Sequence, residues 1–250
     1  MTDNNYFTSR RTVRRFSDRQ VDDALVDELL EEAMRAPTTG NMQLYSVVVS
    51  RDAEARGRLA KCHFSQPAST GCPVMLTFCV DFNRFEKWCR LGNAKPAYGN
   101  LQALMMGLFD AVIFAQQFVT AAEMRGLGTC YLGTTTYNAP DIARELELPS
   151  RVVPVLTVAL GWRGEQPDDC GRLPLDAVRH RERYADYTDE AIARLYHEKE
   201  SRDDSKGFVE ENGKQSLAQV FTDVRYPEST LRPFSKIFAG FLREAGFSLD

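Results

Sequence analysis

Residues 100–125 read NLQALMMGLFDAVIFAQQFVTAAEMR and predict one long apolar helix, which ends before Gly126. Apolar residues recur along one stripe at helical spacing: Leu101, Leu104, Met105, Leu108, Val112, Ala115, Val119 and Ala122. Phe109, Ile113 and Phe118 lie outside that stripe, so the helix is apolar on more than one face. We therefore expect this helix either at the centre of the core or in contact with a second subunit.

The segments on either side of the long helix predict both strands and further helices. Strands are expected at Gln43–Arg51, Val74–Phe82, Cys130–Thr134 (with a glycine turn) and Val152–Leu160. Helices are expected at Asp22–Arg35, Asp52–Cys62, Asn138–Leu148 and Asp189–Lys199, whereas residues 83–100 predict an irregular loop. The spacing gives no regular βαβ alternation, and no GxGxxG or P-loop motif occurs. The sequence therefore predicts an α+β fold.

Composition and charge indicate a globular protein that acts on small molecules. The 250 residues carry a net charge of −4, which gives no electrostatic reason to expect nucleic acid as a partner. Asp110 and the pair Gln116–Gln117 would be costly in a bilayer, so we expect no membrane span. Residues 1–15 lack the apolar segment of a secretory signal, and the six cysteines lack metal-site spacing. We expect a cytoplasmic protein with reduced thiols and no metal.

The C-terminal region differs in composition from the rest of the chain. Glu198–Lys214 is mostly charged or small and predicts a solvated linker or lid. Leu217–Phe247 regains an amphipathic pattern through Leu231, Phe234, Ile237, Phe238 and Phe241. Apolar side chains of this kind need a partner surface. We predict a body at 1–197 and, at 198–250, a charged linker followed by a dimerisation arm.

Four short motifs carry the candidate chemistry. Residues 10–16 read RRTVRRF, and in an extended segment the side chains of Arg10, Thr12 and Arg14 would share one face. Guanidinium groups beside a hydroxyl suit a phosphate. Three further motifs follow: APTTGNMQ at 36–43, GLGTCYLGT at 126–134 and GRLP at 171–174. Small and glycine residues in such loops let the backbone approach a ligand closely.

In this combination and order, the chain resembles the nitroreductase family of FMN proteins. Gln66, the segment FCVDFNR at 78–84 and the C-terminal arm resemble its NADPH-preferring branch, which includes flavin reductase P and oxygen-insensitive nitroreductases. The resemblance implies a central, mainly antiparallel sheet flanked by helices, in an intertwined homodimer with FMN at the interface. It also implies NAD(P)H-dependent, ping-pong reduction of nitroaromatics, quinones or flavins.

The resemblance also implies where the flavin is held. Arg10, Arg11, Thr12 and Arg172 would bind the phosphate, and Arg14 and Gln66 would meet the pyrimidine edge. Thr38, Gly40 and Met42 would lie along the ring and ribityl chain, with Leu132, Gly133 and Thr134 near the hydride-accepting nitrogen. No catalytic side chain is required, because the flavin carries the hydride chemistry.

The residues leave several alternatives open. Cys170 stands where the family usually has a lysine, so a flavin-binding or sensing protein without turnover is one alternative. Another is the same fold with different reductive chemistry, such as dehalogenation or flavin fragmentation. The physiological acceptor, the choice between NADPH and NADH, and the role of residues 83–100 are likewise open. The aromatic residues of that loop, Phe85, Trp88 and Tyr98, fit a substrate pocket and core cover equally well.

Overall fold

The computed structural model describes residues 5–167 and 169–249. The strands of the sheet are β1 (Tyr45–Ser50), β2 (Val74–Asp81), β3 (Leu127–Leu132) and β4 (Val152–Trp162). The helices up to β4 are α1 (Asn5–Ser9), α2 (Asp23–Ala33), α3 (Ala53–Cys62), α4 (Pro67–Gly71), α5 (Asn83–Leu91), α6 (Leu101–Met124) and α7 (Ala139–Glu145). After β4 come α8 (Asp189–Ser201), α9 (Asp203–Glu211), α10 (Leu217–Gln219) and α11 (Glu228–Glu244). Short 3-10 turns lie at Thr39–Asn41 and Leu175–Ala177, and a π-helical turn lies at Val220–Arg225.

The four strands form one antiparallel sheet in the order β1-β2-β4-β3. Every residue of the central strand β2 is buried, which explains its near-continuous apolar sequence. Helices from the earlier and later parts of the chain accompany the sheet. The predicted α+β class and mainly antiparallel sheet are therefore confirmed.

Helix α6 packs against this sheet along one of its two apolar faces. Phe114 stacks on Tyr45 of β1 at 4.3 Å and meets Phe78 of β2 edge-on at 5.4 Å. At Gly107 the helix comes so close that an added Cβ would lie 2.6 Å from a methyl group of Val80. The absence of a side chain at Gly107 sets this close approach.

The second face of α6 is apolar but exposed. Phe109 is 53% exposed, and Val112 and Ile113 are each 40% exposed. By length and composition α6 is the one helix of the described residues that could cross a membrane, yet half of its apolar window is buried inside the protein. Burial of the other face therefore identifies α6 as a core helix, as the sequence predicted.

The N-terminal basic segment is extended and lies against β3 and β4. The Val13 amide donates to the Thr129 carbonyl at 3.0 Å, and the Ser17 amide donates to the Trp162 carbonyl at 2.9 Å. Val13 is fully buried, and a Cβ added at Gly128 would lie 2.7 Å from it. The alternation predicted for RRTVRRF is thus set by main-chain pairing and by burial of the intervening valine.

The expected loop at residues 83–100 is wrong in its first half, where α5 forms. Phe85 and Cys89 are four residues apart and are buried on one side of this helix. Local aromatic and asparagine content suggested a loop, but no Pro or Gly interrupts the segment before Gly92. The substrate-pocket question is answered in part: Phe85 is buried, whereas Trp88 is 67% exposed.

The charged segment 198–214 is helical rather than a linker. α8 continues to Ser201, and α9 follows directly after Arg202. Charged residues occupy the exposed surfaces of these helices, and the Thr188 side chain caps α8. High charge density therefore marked solvent exposure, not loss of secondary structure.

The chain forms two compact units, one comprising Met1–Pro167 with Phe234–Asp250 and the other Asp168–Pro233. In the first unit the C-terminal residues join the core, where Phe247 is 1% exposed. The Arg151 amide donates to the Ala245 carbonyl at 3.0 Å and holds this terminus in place. The apolar residues expected on a detached arm are thus partly covered by their own unit. A division at residue 198 stays a prediction.

Candidate functional site

The first part of the candidate site is a charged network around a buried glutamate. Arg10 donates to Glu123 through Nε and Nη2, each at 3.1 Å, and through Nη1 to the Thr12 hydroxyl at 3.2 Å. Tyr6 donates to the same carboxylate at 2.8 Å, and Thr129 donates to its other oxygen. Glu123 is 3% exposed, so its charge is stabilised almost entirely by these donors.

This network fixes the orientation of the first basic motif. Burial, and then the hydrogen bond from Tyr6 to Glu123, raise the pKa of Tyr6 to about 12, so Tyr6 remains a donor at neutral pH. Arg10 therefore approaches a ligand with part of its charge already neutralised. Glu123 was missed in the sequence because its partner Arg10 is 113 residues away.

The neighbouring basic residues are more exposed. Arg14 and Arg11 are polar side chains at the surface of the extended segment, and Arg11 donates to the Thr8 and Arg10 carbonyls. For Arg14 the described contact is through its amide, which donates to Glu165 at 3.2 Å. The Arg14 guanidinium is thus available to a ligand.

The glycine turn after β3 provides an open backbone surface. A Cβ built on Gly133 meets nothing within 4 Å, and the residue is exposed. The preceding Leu132 is 1% exposed and anchors the turn in the core. The next residue, Thr134, hydrogen-bonds through its hydroxyl to Nδ1 of His63 at 2.9 Å.

His63 connects this turn to Gln66. The Gln66 amide donates to the His63 carbonyl at 3.3 Å, so Thr134, His63 and Gln66 form one connected group. His63 is fully buried, and its Nε2 has no hydrogen-bond partner within the described residues. Burial lowers the pKa of His63 to about 4, so the ring is neutral at physiological pH. No sequence pattern pointed to this role, because a lone histidine is usually a packing or surface residue.

The second part of the site is the loop that contains Thr38, Gly40 and Met42. Gly40 has a φ of +55°, which favours glycine. Asp110, in the middle of α6, accepts hydrogen bonds from the amides of Thr39 at 2.8 Å and Leu44 at 3.1 Å. The buried Asp110 carboxylate therefore holds both ends of this loop.

A cleft of about 480 Å³ lies beside the Gly40 loop. Gly40, Asn41 and Met42 line one side, and α5 supplies the other residues, Arg84, Phe85 and Trp88. Trp88 lies 5.6 Å from Phe85, which fixes one side of its ring and leaves the remainder exposed. Such a cleft can accept a flat aromatic molecule.

The two parts of the site are far apart within one chain. Asp110 holds the Gly40 loop and Glu123 holds Arg10, and both residues belong to α6. Thirteen residues separate them, which corresponds to about 20 Å along a helix. The structure therefore brings together Arg10 and Thr12, and separately Leu132–Thr134 with Gln66, but it keeps the Gly40 loop at a distance from Arg10.

Arg172 belongs to the second compact unit. Gly171 precedes it with a φ of +64°, and the Gly171 amide donates to Asp169 at 2.9 Å. The Arg172 guanidinium donates to the Gly171 carbonyl at 2.6 Å and is exposed. Cys170, in place of a cation, is also exposed.

The donors in the first unit suit a phosphorylated, aromatic cofactor such as FMN. Arg10 and Thr12 already form a hydrogen-bonded pair that can meet a phosphate, and Arg14 is exposed for an electron-rich ring edge. The open Cβ position of Gly133 is a cradle that a larger residue would fill. Among the described residues, no group of three or more His, Cys, Asp or Glu could hold a metal.

Comparison with solved structures defines the class of the protein. The NfrA1 nitroreductase from Bacillus subtilis matches with a TM-score of 0.84 and 25% identity over 97% of this chain and 98% of that chain. A Bacteroides fragilis protein provisionally assigned as an oxidoreductase matches with a TM-score of 0.96 and 47% identity over 98% of this chain and all of that chain. The fold is therefore that of the nitroreductase-type oxidoreductases.

A model of the Nitroreductase family matches residues 7–162, more than half of the chain, and the chain belongs to this family. Among curated relatives, an FMN reductase [NAD(P)H] from Bacillus subtilis is 31% identical over 88% of this chain and 91% of the relative. An oxygen-insensitive NADPH nitroreductase from Salmonella typhimurium is 29% identical over 74% of this chain and 75% of the relative. The family expected from the four motifs is confirmed, whereas the roles of individual site residues stay predictions.

Proposed function

We propose that the protein is a cytoplasmic, homodimeric, FMN-dependent NAD(P)H oxidoreductase that reduces small acceptors such as nitroaromatics, quinones or free flavin. Family membership and relatives that include an FMN reductase and an NADPH nitroreductase support this reaction class. The observation that carries the proposal is the pair of half-sites on α6, one cationic and one beside an aromatic cleft.

Arg10, Arg11, Thr12 and Arg172 are proposed to hold the FMN phosphate. A phosphate monoester carries nearly two negative charges, which several guanidinium groups and a hydroxyl can meet. Glu123 fixes Arg10 but reduces its net charge, so Arg172 and Arg11 supply much of the attraction.

The other predicted contacts divide between the two half-sites. Leu132, Gly133 and Thr134 present backbone at the end of β3, with Arg14 and Gln66 for the pyrimidine edge. Thr38, Gly40 and Met42 belong to the loop that Asp110 holds. Because this loop lies about 20 Å along α6 from the Arg10 network, the proposed site takes its two halves from different chains of a dimer.

The exposed face of α6 is proposed to be the centre of the dimer interface. Phe109, Val112 and Ile113 lie between the two half-sites on the same helix, and all three are at least 40% exposed. Contact between two such faces would remove apolar surface from water and bring the Gly40 loop of one chain toward the Arg10 network of the other.

Bound FMN supplies the hydride chemistry between NAD(P)H and the acceptor. The protein's own residues orient the ligands and exclude water. Trp88 and Met42 cover the cleft in which an aromatic donor or acceptor can stack, and Arg14 adds positive charge that favours reduction of the flavin. Donor and acceptor are expected to use this cleft in turn, because one flavin face admits one partner at a time.

Light scattering combined with FMN titration tests the dimeric site. Ile113→Glu would place a charge in the apolar face, so we expect monomers and loss of FMN binding. Ala53→Glu adds the same charge at an exposed position in the first turn of α3 and should change neither property. A monomeric Ile113→Glu protein that retains full FMN affinity would exclude a site shared between chains.

Arg172→Ala tests the phosphate assignment. Loss of a hydrogen bond to a charged partner should weaken FMN binding by about ten- to a hundredfold. Arg144→Ala is the matched control, because Arg144 is an exposed arginine of α7 that pairs with Asp141. Equal losses in both variants would place the phosphate elsewhere.

A further inference from the structure

The second compact unit contains an arginine-rich cleft of about 340 Å³. Four arginines line it, Arg179, Arg181, Arg183 and Arg194, against two acidic residues, Asp176 and Asp186. The lining therefore has a net charge of +2 with His180 neutral. The volume falls at the lower end of the range of small-molecule sites, about 300–1,000 Å³.

Most of this positive charge is not neutralised inside the unit. Arg179 pairs with Asp176 at 3.1 Å, and the Asp186 carboxylate accepts from the Tyr187 amide at 2.9 Å. Within the part of the chain that the structure describes, Arg181, Arg183 and Arg194 have no ion pair or side-chain hydrogen bond. Three cations thus remain available to an anion.

Other basic residues of this unit are already engaged. Lys214 pairs with Asp223 at 3.0 Å, and the Arg225 guanidinium lies 4.2 Å above the Phe208 ring. Lys214, Lys206 and Arg225 were plausible contacts for a nicotinamide phosphate from sequence. The ion pair and the stacked ring make Lys214 and Arg225 poorer candidates than the cleft arginines.

The backbone between Arg181 and Arg183 forms a tight three-residue turn. The Arg183 amide donates to the Arg181 carbonyl at 2.6 Å, and Glu182 has a φ of +60°. This turn places two arginines next to the cleft within three residues. Two planar guanidinium groups so close together suit the several oxygens of a phosphate.

Aromatic rings lie beside these arginines. Tyr184 stacks on His180 with 4.2 Å between ring centroids and is 71% exposed. His180 is held in turn by the Tyr187 hydroxyl at 3.1 Å from Nε2. The outer face of Tyr184 is therefore a fixed, accessible surface on which a base can stack.

We propose that this cleft binds a phosphorylated adenosine, specifically the adenosine 2′-phosphate end of NADPH. Arg181, Arg183 and Arg194 bind the phosphate, and Tyr184 stacks on the adenine. This inference rests on the proposed NAD(P)H-dependent function and assigns its preference for NADPH to the cleft.

Calorimetric titration of the FMN-loaded protein with 2′,5′-ADP tests this site, because 2′,5′-ADP has no nicotinamide and needs no turnover. We expect binding to the unmodified protein and at least tenfold weaker binding to R181Q/R183Q and to R194Q. R144Q serves as the control and should bind as the unmodified protein does. Adenosine and inorganic phosphate, each carrying half of the ligand, should bind more weakly than 2′,5′-ADP.

Steady-state kinetics provide the second readout. R181Q/R183Q should raise the KM for NADPH at least tenfold and change the KM for NADH less than twofold. Unchanged 2′,5′-ADP affinity in both cleft variants, equal effects on the two nucleotides, or equal binding of inorganic phosphate would overturn the assignment. If neither nucleotide reduces the flavin but 2′,5′-ADP binding depends on the cleft arginines, the reaction is wrong and the site stands.

Discussion

Replacement of Glu123 by Gln removes the charge at the centre of the Arg10 network while keeping the shape of the side chain. The carboxylate accepts from Arg10 twice at 3.1 Å, from Tyr6 at 2.8 Å and from Thr129. In the Glu123→Gln variant one carboxylate oxygen becomes an NH₂ group, which is itself a donor and faces another donor. At least one of these four hydrogen bonds must be lost, and Arg10 loses its counter-charge.

The size of the loss follows from burial. Breaking a buried ion pair by removing one partner costs roughly 3–5 kcal/mol, because an uncompensated charge remains. The Glu123 side chain is 1% exposed, whereas that of Arg10 is 24% exposed and can recover some hydration. We therefore expect the free energy of unfolding to fall by about 2–4 kcal/mol.

Urea unfolding of the apoprotein at fixed protein concentration measures this loss. Glu145→Gln is the control, because Glu145 pairs with Arg58 at 2.8 Å at the surface, where such a pair contributes about 1 kcal/mol or less. The pKa of Tyr6 should also fall in Glu123→Gln, since Glu123 raises it. Equal losses of stability in the two variants would show that burial of the Glu123 carboxylate does not set the cost.

Three further changes have expected outcomes. Burial lowers the pKa of His63 from 6.5 to about 4, so the folded protein binds fewer protons than the unfolded chain between these values. Stability should therefore be full above pH 6.5 and fall by roughly 3 kcal/mol as the pH drops to 4, and His63→Gln should flatten this decline in urea unfolding; an unchanged slope would contradict it. Asp110→Asn should speed hydrogen exchange at the Thr39 and Leu44 amides and weaken FMN binding, because one of the two carboxylate acceptors becomes a donor; unaltered exchange would show that the loop is held otherwise. Gly107→Ala should lower the free energy of unfolding by about 1–3 kcal/mol, since its Cβ would lie 2.6 Å from Val80, and a neutral result would mean that α6 can move away from the sheet.

Local patterns predicted much of the fold because they depend on short-range spacing. The 3.6-residue period of α6 and the β-branched segments of β1, β2 and β4 are visible along the chain. The second apolar face of α6, read from Phe109 and Ile113, is exposed in the structure as a contact surface requires. Residues 83–91 were misjudged because composition outweighed the spacing of Phe85 and Cys89.

The supports of the candidate site could not be predicted, because they depend on contacts between distant residues. Asp110 is 66 residues from Leu44, and Glu123 is 113 residues from Arg10. In sequence, each is only a single acidic residue within an apolar helix. The separation of the Gly40 loop from the Arg10 network was likewise invisible, since motif order along a chain does not give distance in space.

Anaerobic titration of the purified protein with NADPH, followed by its visible absorption spectrum, is the decisive test of the proposed function. We expect a yellow protein whose bound FMN bleaches on addition of NADPH and whose colour returns when a quinone or nitroaromatic is added. A colourless protein that does not bind added FMN would contradict the cofactor assignment. Bound FMN that stays yellow with both NADPH and NADH would contradict the enzyme and favour a flavin-binding protein without turnover.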